Sequence, residues 1–162
     1  MTNFFIKQHD SMQCGASCLF MVCRYYGMRI TLNEIDTLCV PTKEGVSMLG
    51  LKESAQSIGF ECRAFKAPIA ILSQIQLPCL LHWDQNHFVV LHELSKKGKR
   101  YKVADPGKGV ISYSKKEFED HWICSEHGGE PCGIVMELMP TESFYKHGAE
   151  QAPEKRSFRF LY

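Results

Sequence analysis

The stretch Gln8-His-Asp-Ser-Met-Gln-Cys14-Gly15 leads directly into Ala16-Ser-Cys-Leu-Phe-Met-Val-Cys-Arg-Tyr-Tyr-Gly27. Apolar residues recur in the second stretch at helical spacing, and its final glycine is typical of a helix C-terminus. Cys14 is therefore predicted to lie at or just before a helix N-terminus, where unpaired N–H groups and the helix dipole favour an anion. This placement favours the thiolate, the form that attacks carbonyl carbons. Gly15 is expected to leave the approach to the sulfur free of a side chain.

A buried structural role is the commoner one for a cysteine, and the other seven cysteines of the chain are interpreted in that way. The residues before Cys14 distinguish it, because they are polar and form cores poorly. Among them, the Gln8 amide can reach back toward Cys14 as a hydrogen-bond donor. A nucleophilic Cys14 also requires a base.

Length and composition narrow the class of protein. The chain has 162 residues, 44% of them hydrophobic and 23% charged, which is typical of one globular domain. The net charge of +1 supplies no field that would attract nucleic acid. No apolar run is long enough to span a membrane, and the N-terminus does not resemble a signal peptide. Eight cysteines without a secretion signal indicate a cytosolic setting with reduced thiols.

The chain is mainly helical over its first 60 residues and mainly extended afterwards. Helices are predicted from helical spacing and from capping residues: capping boxes at Thr31/Glu34 and Ser114/Glu117, and an N-cap at Ser47. Strands are predicted from alternation and from turn residues between them. This order predicts an α+β fold in which N-terminal helices pack on a C-terminal antiparallel sheet. In chain order, the predicted helices are 16–26, 31–39, 47–59, 69–75 and 114–122, and the predicted strands are 60–65, 78–83, 87–94, 100–104, 110–113 and 133–140.

Two polar residues stand where neighbouring strands begin and end. His87 opens one strand, and Asp105 follows the next strand, across a hairpin with its tip near Gly98. Both are therefore expected at the same end of that hairpin. A lone His or an Asp-Pro-Gly turn is commonly structural. Together with Cys14 and Gln8, however, they supply a base, an orienting carboxylate, a nucleophile and an oxyanion donor.

As an ordered set, these motifs resemble the bacteriocin-processing cysteine peptidase domain, a papain-like domain at the N-terminus of peptide-exporting ABC transporters. The resemblance covers roughly residues 4 to 145. It is carried by Gln8-x5-Cys14-Gly15, Ala16-Ser-Cys18-Leu, Tyr25-Tyr26-Gly27, His87-Phe-Val-Val-Leu91, Val103-Ala-Asp105-Pro106-x-x-Gly109, Phe118-x3-Trp122 and the stretch from Gly133 to Pro140.

The resemblance implies an activity and a role for each site residue. Cys14 would be the nucleophile, His87 the general base and acid, Asp105 its orienting partner, and Gln8 the oxyanion-hole donor. The implied substrates are exported peptides whose N-terminal leaders end in a double glycine, with cleavage after the second glycine. No cofactor or metal is implied for this domain, since ATP would be used by the transporter's nucleotide-binding domain.

The resemblance also implies a setting. Residues 1–141 are expected to form the peptidase domain, and residues 142–162, with a basic, aromatic tail at 155–162, a linker toward a transmembrane domain absent from this chain. A free-standing peptidase is the less favoured interpretation. In the full-length transporter, the implied partners are the transmembrane and nucleotide-binding domains, in a dimer. The domain would lie at the cytoplasmic face of the bacterial inner membrane and be soluble when isolated. No nucleic acid partner is expected.

Two alternatives remain at this point. One is a peptidase-like module that only docks leader peptides, against which the joint presence of nucleophile, base, orienter and oxyanion donor argues. The other is a zinc site, because four soft ligands lie within twelve residues, although the paired Cys-x2-Cys knuckles typical of structural zinc are absent. The four are His121, Cys124, His127 and Cys132.

Overall fold

The structure is a computed structural model, and it describes residue 5 and residues 14–39, 47–95 and 97–151. For residues 147–151 it describes the backbone alone. Gln8, the predicted turn at 41–46 and most of the expected linker lie outside the described residues.

Three helices come first in the chain, and strands dominate the rest of it, as predicted. The helices are α1 (Cys14–Tyr25), α2 (Leu32–Leu38), α3 (Met48–Ser57), α4 (Lys115–Trp122) and α5 (Glu142–Gln151), with a short 3-10 helix at Ile69–Ser73. The strands are β1 (Phe60–Ala67), β2 (Cys79–Trp83), β3 (His87–Leu94), β4 (Arg100–Asp105), β5 (Gly109–Ser114), β6 (Ser125–His127) and β7 (Glu130–Pro140).

Side-chain caps explain where several helices begin. Thr31 accepts a hydrogen bond from the backbone N–H of Glu34, and Ser47 caps α3 in the same way. Ahead of α4, Ser114 and Glu117 form a reciprocal capping box. The predicted cap at Ser47 and the predicted box at Ser114 and Glu117 are confirmed, and of the box predicted at Thr31 the structure shows the bond that Thr31 accepts.

The sheet is antiparallel throughout the described pairings. Its strand order is β1-β7-β2-β3-β4-β5, and β6 pairs with the start of β7. The last strand of the described residues is therefore not at an edge, because β7 lies between β1 and β2. Helices with an antiparallel sheet confirm the predicted α+β class.

Two apolar layers cover the two faces of the sheet. The first joins α1, α2 and α3 to one face, with Leu19, Phe20 and Leu51 among its buried members. The second packs α4 on the other face, around Trp83 and Phe118. This arrangement holds α1 against β3, at the end of the sheet where His87 begins its strand.

The first turn of α5, which follows the expected domain boundary at residue 141, packs on the core. Phe144, in the first turn of α5, is 1% exposed, and its ring centroid lies 4.6 Å from that of Phe60. Gly59 permits this contact, because a Cβ there would lie 2.2 Å from the backbone nitrogen of Phe144. The packed domain therefore continues past residue 141 by at least the first turn of α5. Across the described residues, none of the helices is long and apolar enough to span a bilayer.

Candidate active site

Cys14 is the first residue of α1 and is 7% exposed. A Cβ on Gly15 would lie 3.2 Å from the methyl carbons of Leu51, so the missing side chain allows α3 to pack closely against α1. Gly15 thus contributes to the position of Cys14 through helix packing.

Cys18 links α1 to the strand that carries His87. It lies one helical turn after Cys14, and its Sγ is 3.2 Å from the carbonyl oxygen of Phe88, to which the thiol donates. Burial raises the pKa of Cys18 well above its usual range, with the nearby charges of Cys14 and Asp105 adding to the effect. Cys18 therefore remains a neutral thiol that fixes the helix next to His87.

The pairing of β3 with β4 brings His87 and Asp105 together. Val90 pairs with Ala104, so the next position along the same register sets Asp105 opposite Val89, two residues from His87. Side chains two residues apart on a strand share a face, and such diagonal neighbours are within reach of one another. His87 Nε2 and Asp105 Oδ1 are 2.7 Å apart.

The surroundings of His87 favour its imidazolium form. Burial on its own lowers the pKa of His87, but hydrogen bonds with Asp105 and Cys14 and the negative charges of both partners outweigh burial. The result raises the pKa from its ordinary value of 6.5 to about 9. Because Nε2 is hydrogen-bonded to Asp105, Nδ1 is the ring nitrogen that remains available to Cys14.

Asp105 is held as a carboxylate in the interior. It is 1% exposed, and burial alone would raise its pKa. Hydrogen bonds from His87 and from the Gly107 N–H, together with the positive charges of His87 and Lys108, instead lower the pKa of Asp105 below its usual value. The Gly107 bond, 2.8 Å long, closes the Asp-Pro-Gly turn on the carboxylate, and sequence analysis assigned no role to Gly107.

The turn between β2 and β3 lies at the predicted position, residues 84–86, but its strained backbone was not predicted. Asp84 and Gln85 both have positive φ, 51° and 68°, which is costly for residues other than glycine. His121 of α4 supports this turn: its carbonyl accepts from the Asp84 N–H at 2.9 Å, and its Nδ1 lies 2.7 Å from Asp84 Oδ1. The His121 ring also stacks on Trp83, which pairs with His87.

The remaining thiols are in different surroundings. All eight cysteines lie in the described part of the chain and all are free. Several of them are buried thiols whose pKa is raised, chiefly by that burial, so that they stay protonated at neutral pH. These are Cys18, Cys23, Cys39, Cys62 and Cys79.

Three of the four residues of the zinc alternative have separate surroundings. His121 binds Asp84, Cys124 is exposed, and Cys132 is buried with its Sγ 3.4 Å from the Glu130 carbonyl oxygen. Within the part of the chain that the structure covers, no three His, Cys, Asp or Glu residues form a group that could hold a metal ion.

A cysteine at a helix N-terminus beside a histidine that a buried aspartate holds can attack a carbonyl carbon, and the histidine can protonate the leaving amine. On an α+β fold with helices packed on an antiparallel sheet, this arrangement defines a cysteine peptidase of the papain-like type. The profile of the family described as "Peptidase C39 family" matches residues 3–125. The chain belongs to this family.

Two bacterial relatives show how far the similarity extends. The chain is 30% identical over 139 residues to the Escherichia coli "Colicin V secretion/processing ATP-binding protein CvaB", covering 86% of this chain and 18% of the relative. It is 32% identical over 159 residues to the "Lactococcin-G-processing and transport ATP-binding protein LagD" of Lactococcus lactis subsp. lactis, covering 94% and 21%. The chain thus spans about a fifth of the length of these curated relatives.

Solved structures show the same fold. A crystal structure of a double glycine motif protease from an AMS/PCAT transporter, in complex with the leader peptide, superposes with a TM-score of 0.74 at 29% identity, covering 85% of this chain and 91% of that one. The peptidase domain of Streptococcus ComA, a bi-functional ABC transporter involved in a quorum sensing pathway, superposes with a TM-score of 0.70 at 24% identity, covering 84% and 97%. The prediction of a papain-like cysteine peptidase fold is confirmed.

Proposed function

We propose that this domain removes the N-terminal leader of exported peptides by cleaving after a double glycine, as the processing domain of a peptide-exporting ABC transporter. The observation that carries the proposal is the 2.7 Å contact of His87 with the buried Asp105 carboxylate, together with Cys14 at the N-terminus of the helix that packs on the strand of His87. The names of the relatives, which combine secretion, processing and ATP binding, support the substrate class and the setting.

In the proposed reaction, the Cys14 thiolate attacks the carbonyl carbon of the second glycine. The backbone N–H of Cys14 and the Gln8 amide stabilise the oxyanion, and removing a donor of this kind typically costs about 3–4 kcal/mol of transition-state stabilisation. The carbon–nitrogen bond then breaks, and the imidazolium of His87 gives its proton to the leaving amine. The leader remains attached to Cys14 as a thioester.

Hydrolysis of the thioester completes the cycle. Neutral His87 takes a proton from water, the resulting hydroxide adds to the thioester carbonyl, and the carbon–sulfur bond breaks to release the leader carboxylate. Asp105 keeps the ring in one tautomer through both halves, since its carboxylate accepts from Nε2–H at 2.7 Å. The raised pKa of His87 suits this cycle, because the ring is protonated when the amine must leave.

The wider setting is part of the same proposal. The chain would be joined beyond α5 to transmembrane and nucleotide-binding domains, working as a dimer at the cytoplasmic face of the inner membrane. ATP would be used by the nucleotide-binding domain, and the peptidase reaction itself would use only residues of this chain and water.

Cleavage of a synthetic leader peptide tests the proposal directly. The peptide ends in Gly-Gly followed by several cargo residues, and mass spectrometry locates the cut. We expect the wild type and Cys124→Ala, which removes an exposed thiol, to cleave after the second glycine, and Cys14→Ala to be inactive. Binding of the peptide without cleavage by the wild type would instead indicate a docking module, and cleavage by Cys14→Ala would refute the assigned nucleophile.

A further inference from the structure

The strained turn between β2 and β3 leads the chain directly into His87. Asp84 and Gln85 take φ values of 51° and 68°, a region that residues other than glycine enter only at a cost in free energy. A backbone of this kind persists only where its surroundings hold it. His87 follows the turn as the first residue of β3. Whatever holds the turn therefore also sets where the backbone of His87 lies.

His121, in the last turn of α4, contacts both this turn and the strand before it. Its backbone carbonyl accepts from the Asp84 N–H at 2.9 Å, and its ring Nδ1 lies 2.7 Å from Asp84 Oδ1. The same ring lies on the indole of Trp83, with 4.9 Å between the ring centroids and 10° between the planes. Trp83 is fully buried, and its Nε1–H has no acceptor among the residues that the structure describes, so contacts with neighbouring rings set the position of the indole. His121 thus fixes the β2 residue that pairs with His87 and the turn that joins the two.

The bond between His121 and Asp84 acts through geometry more than through charge. The side chain of His121 is 30% exposed and that of Asp84 is 46% exposed, so water screens the attraction between them. A short, directional hydrogen bond nevertheless fixes the orientation of the Asp84 carboxylate.

Two carboxylates border the cleft at the Nε2 edge of His87. The cleft has a volume of about 300 Å³, and Asp84 and Asp105 are both among its lining residues. Burial raises the pKa of Tyr113, and the charges of Asp105 and Asp84 add to this effect, so both carboxylates lie near one phenol. Nε2–H is donated to Asp105, 2.7 Å away, and Asp84 is a second acceptor facing the same space. With its Oδ1 bound to His121, the Asp84 carboxylate is kept from competing for that proton.

We propose that His121 is a positioning residue for the peptidase reaction. By holding Asp84, it keeps the ring of His87 bonded to Asp105. The opposite ring nitrogen, Nδ1, then stays directed at Cys14. The catalytic part of this inference rests on the proposed function. Without the bond from His121, the turn relaxes and the Asp84 carboxylate competes for Nε2–H, which turns Nδ1 away from the thiol.

Two substitutions of His121 separate its hydrogen bond from its ring. His121→Phe keeps a ring for Trp83 and removes Nδ1, whereas His121→Asn keeps a donor close to the position of Nδ1 and removes the ring. For a synthetic double-glycine leader peptide, we expect kcat to fall at least about tenfold in His121→Phe, with KM within about twofold of the wild-type value. His121→Asn should retain at least about a third of the wild-type kcat. His127→Phe, which removes an exposed histidine of β6, is the matched control and should leave both constants unchanged.

A second substitution tests the route through Asp84. Glycine adopts positive φ without strain and carries no carboxylate, so Asp84→Gly removes both consequences of losing the bond from His121. In the double variant Asp84→Gly, His121→Phe, we therefore expect kcat to recover to within about threefold of the wild-type value. A residue that only stabilised the fold would give no such recovery, because the double variant lacks one contact more than His121→Phe.

Alkylation of Cys14 reports the position of His87 without a substrate. The thiolate is the form that reacts with iodoacetamide, and a neighbouring imidazolium favours the thiolate. Mass spectrometry distinguishes the Cys14 product from that of the exposed Cys124. At neutral pH, we expect the rate at Cys14 to fall at least about fivefold in His121→Phe and to recover in the double variant.

The outcomes separate this inference from the proposed function. If the wild type cleaves no double-glycine peptide, the proposed function fails, and the alkylation rates still decide whether His121 positions His87. An unchanged kcat and alkylation rate in His121→Phe, measured per folded molecule, would overturn the inference, as would a loss confined to KM or one that Asp84→Gly does not reverse. Should His121→Phe not fold, His121→Leu replaces it, since leucine keeps an apolar contact with Trp83 without the ring nitrogen, and the same loss and recovery are expected.

Discussion

Replacing Asp105 by asparagine tests what holds His87 in its charged form. The pKa of His87 is about 9 against an ordinary 6.5, which corresponds to roughly 3 kcal/mol in favour of the imidazolium. The two side chains are 2.7 Å apart, and Asp105 is 1% exposed, so water screens this attraction little. Asparagine keeps the size and one acceptor oxygen but removes the charge, while burial of His87 continues to favour the neutral ring.

We therefore expect the pKa of His87 in Asp105→Asn to fall from about 9 to roughly 7 or below. At about pH 8, the protonated fraction of His87 would then drop from about nine-tenths to about one-tenth. Because the leaving amine needs that proton, kcat/KM for a double-glycine leader peptide should fall about tenfold from this cause alone. The high-pH limb of the rate profile should move to lower pH by the same amount as the pKa of His87.

Two measurements check this expectation. NMR titration of the imidazole Cε1–H signal gives the pKa of His87 without substrate, with His87→Gln to identify the resonance, and the pH profile of kcat/KM gives the catalytic consequence. Asp120→Asn is the matched control, since it removes an exposed carboxylate that lies 3.6 Å from Lys116 on α4. A His87 titration midpoint that stays near 9 in Asp105→Asn would show that the carboxylate is not the cause.

Three further predictions concern stability. Gly59→Ala should destabilise the domain by about 3 kcal/mol or more in urea unfolding, because the φ of Gly59 is +107° and the new Cβ would lie 2.2 Å from the Phe144 nitrogen. An unchanged free energy of unfolding would contradict the packing of α5. Asp84→Ala should be less stable than Asp84→Gly by about 1 kcal/mol in the same assay, since φ is 51° and only glycine adopts it without strain, and the reverse order would contradict this turn geometry. The pKa of His87 is raised on folding, so its charge stabilises the domain fully below about pH 6.5, and this contribution is lost as pH rises through about 9. His87→Gln should therefore flatten the dependence of unfolding free energy on pH in that range. An unaltered slope would argue against the raised pKa.

The sequence predicted well those features that are encoded locally. The capping box of Ser114 and Glu117 and the caps at Thr31 and Ser47 each involve residues within one helical turn. Alternating apolar residues and flanking turn residues located β2, β3 and β4, because these signals also lie within a few neighbouring residues. The expected meeting of His87 and Asp105 followed from the hairpin, whose two strands are adjacent in the chain.

Other features depend on partners distant in sequence and were not predictable. The position of β7 between β1 and β2 is set by pairings such as Phe65 with Val135, and no local pattern reports them. A bulge between Leu91 and Glu93 shifts the register of β3 against β4, which counting from the hairpin tip could not reveal. The burial of Phe144 likewise depends on Gly59, a residue distant in sequence, so the packing of α5 was not predictable.

The candidate site combines both kinds of information. Residue types and order indicated Cys14, His87 and Asp105, but their shared geometry is non-local, because it depends on α1 lying against β3. The bond from the Cys18 thiol to the Phe88 carbonyl secures that contact one turn from Cys14 and one residue from His87. Burial therefore has two effects on neighbouring thiols of one helix: it keeps Cys18 neutral as a structural contact, and it encloses Cys14 beside an imidazole that Asp105 holds charged. The same helix–sheet packing that keeps one thiol neutral thus places the other beside the His87 imidazole.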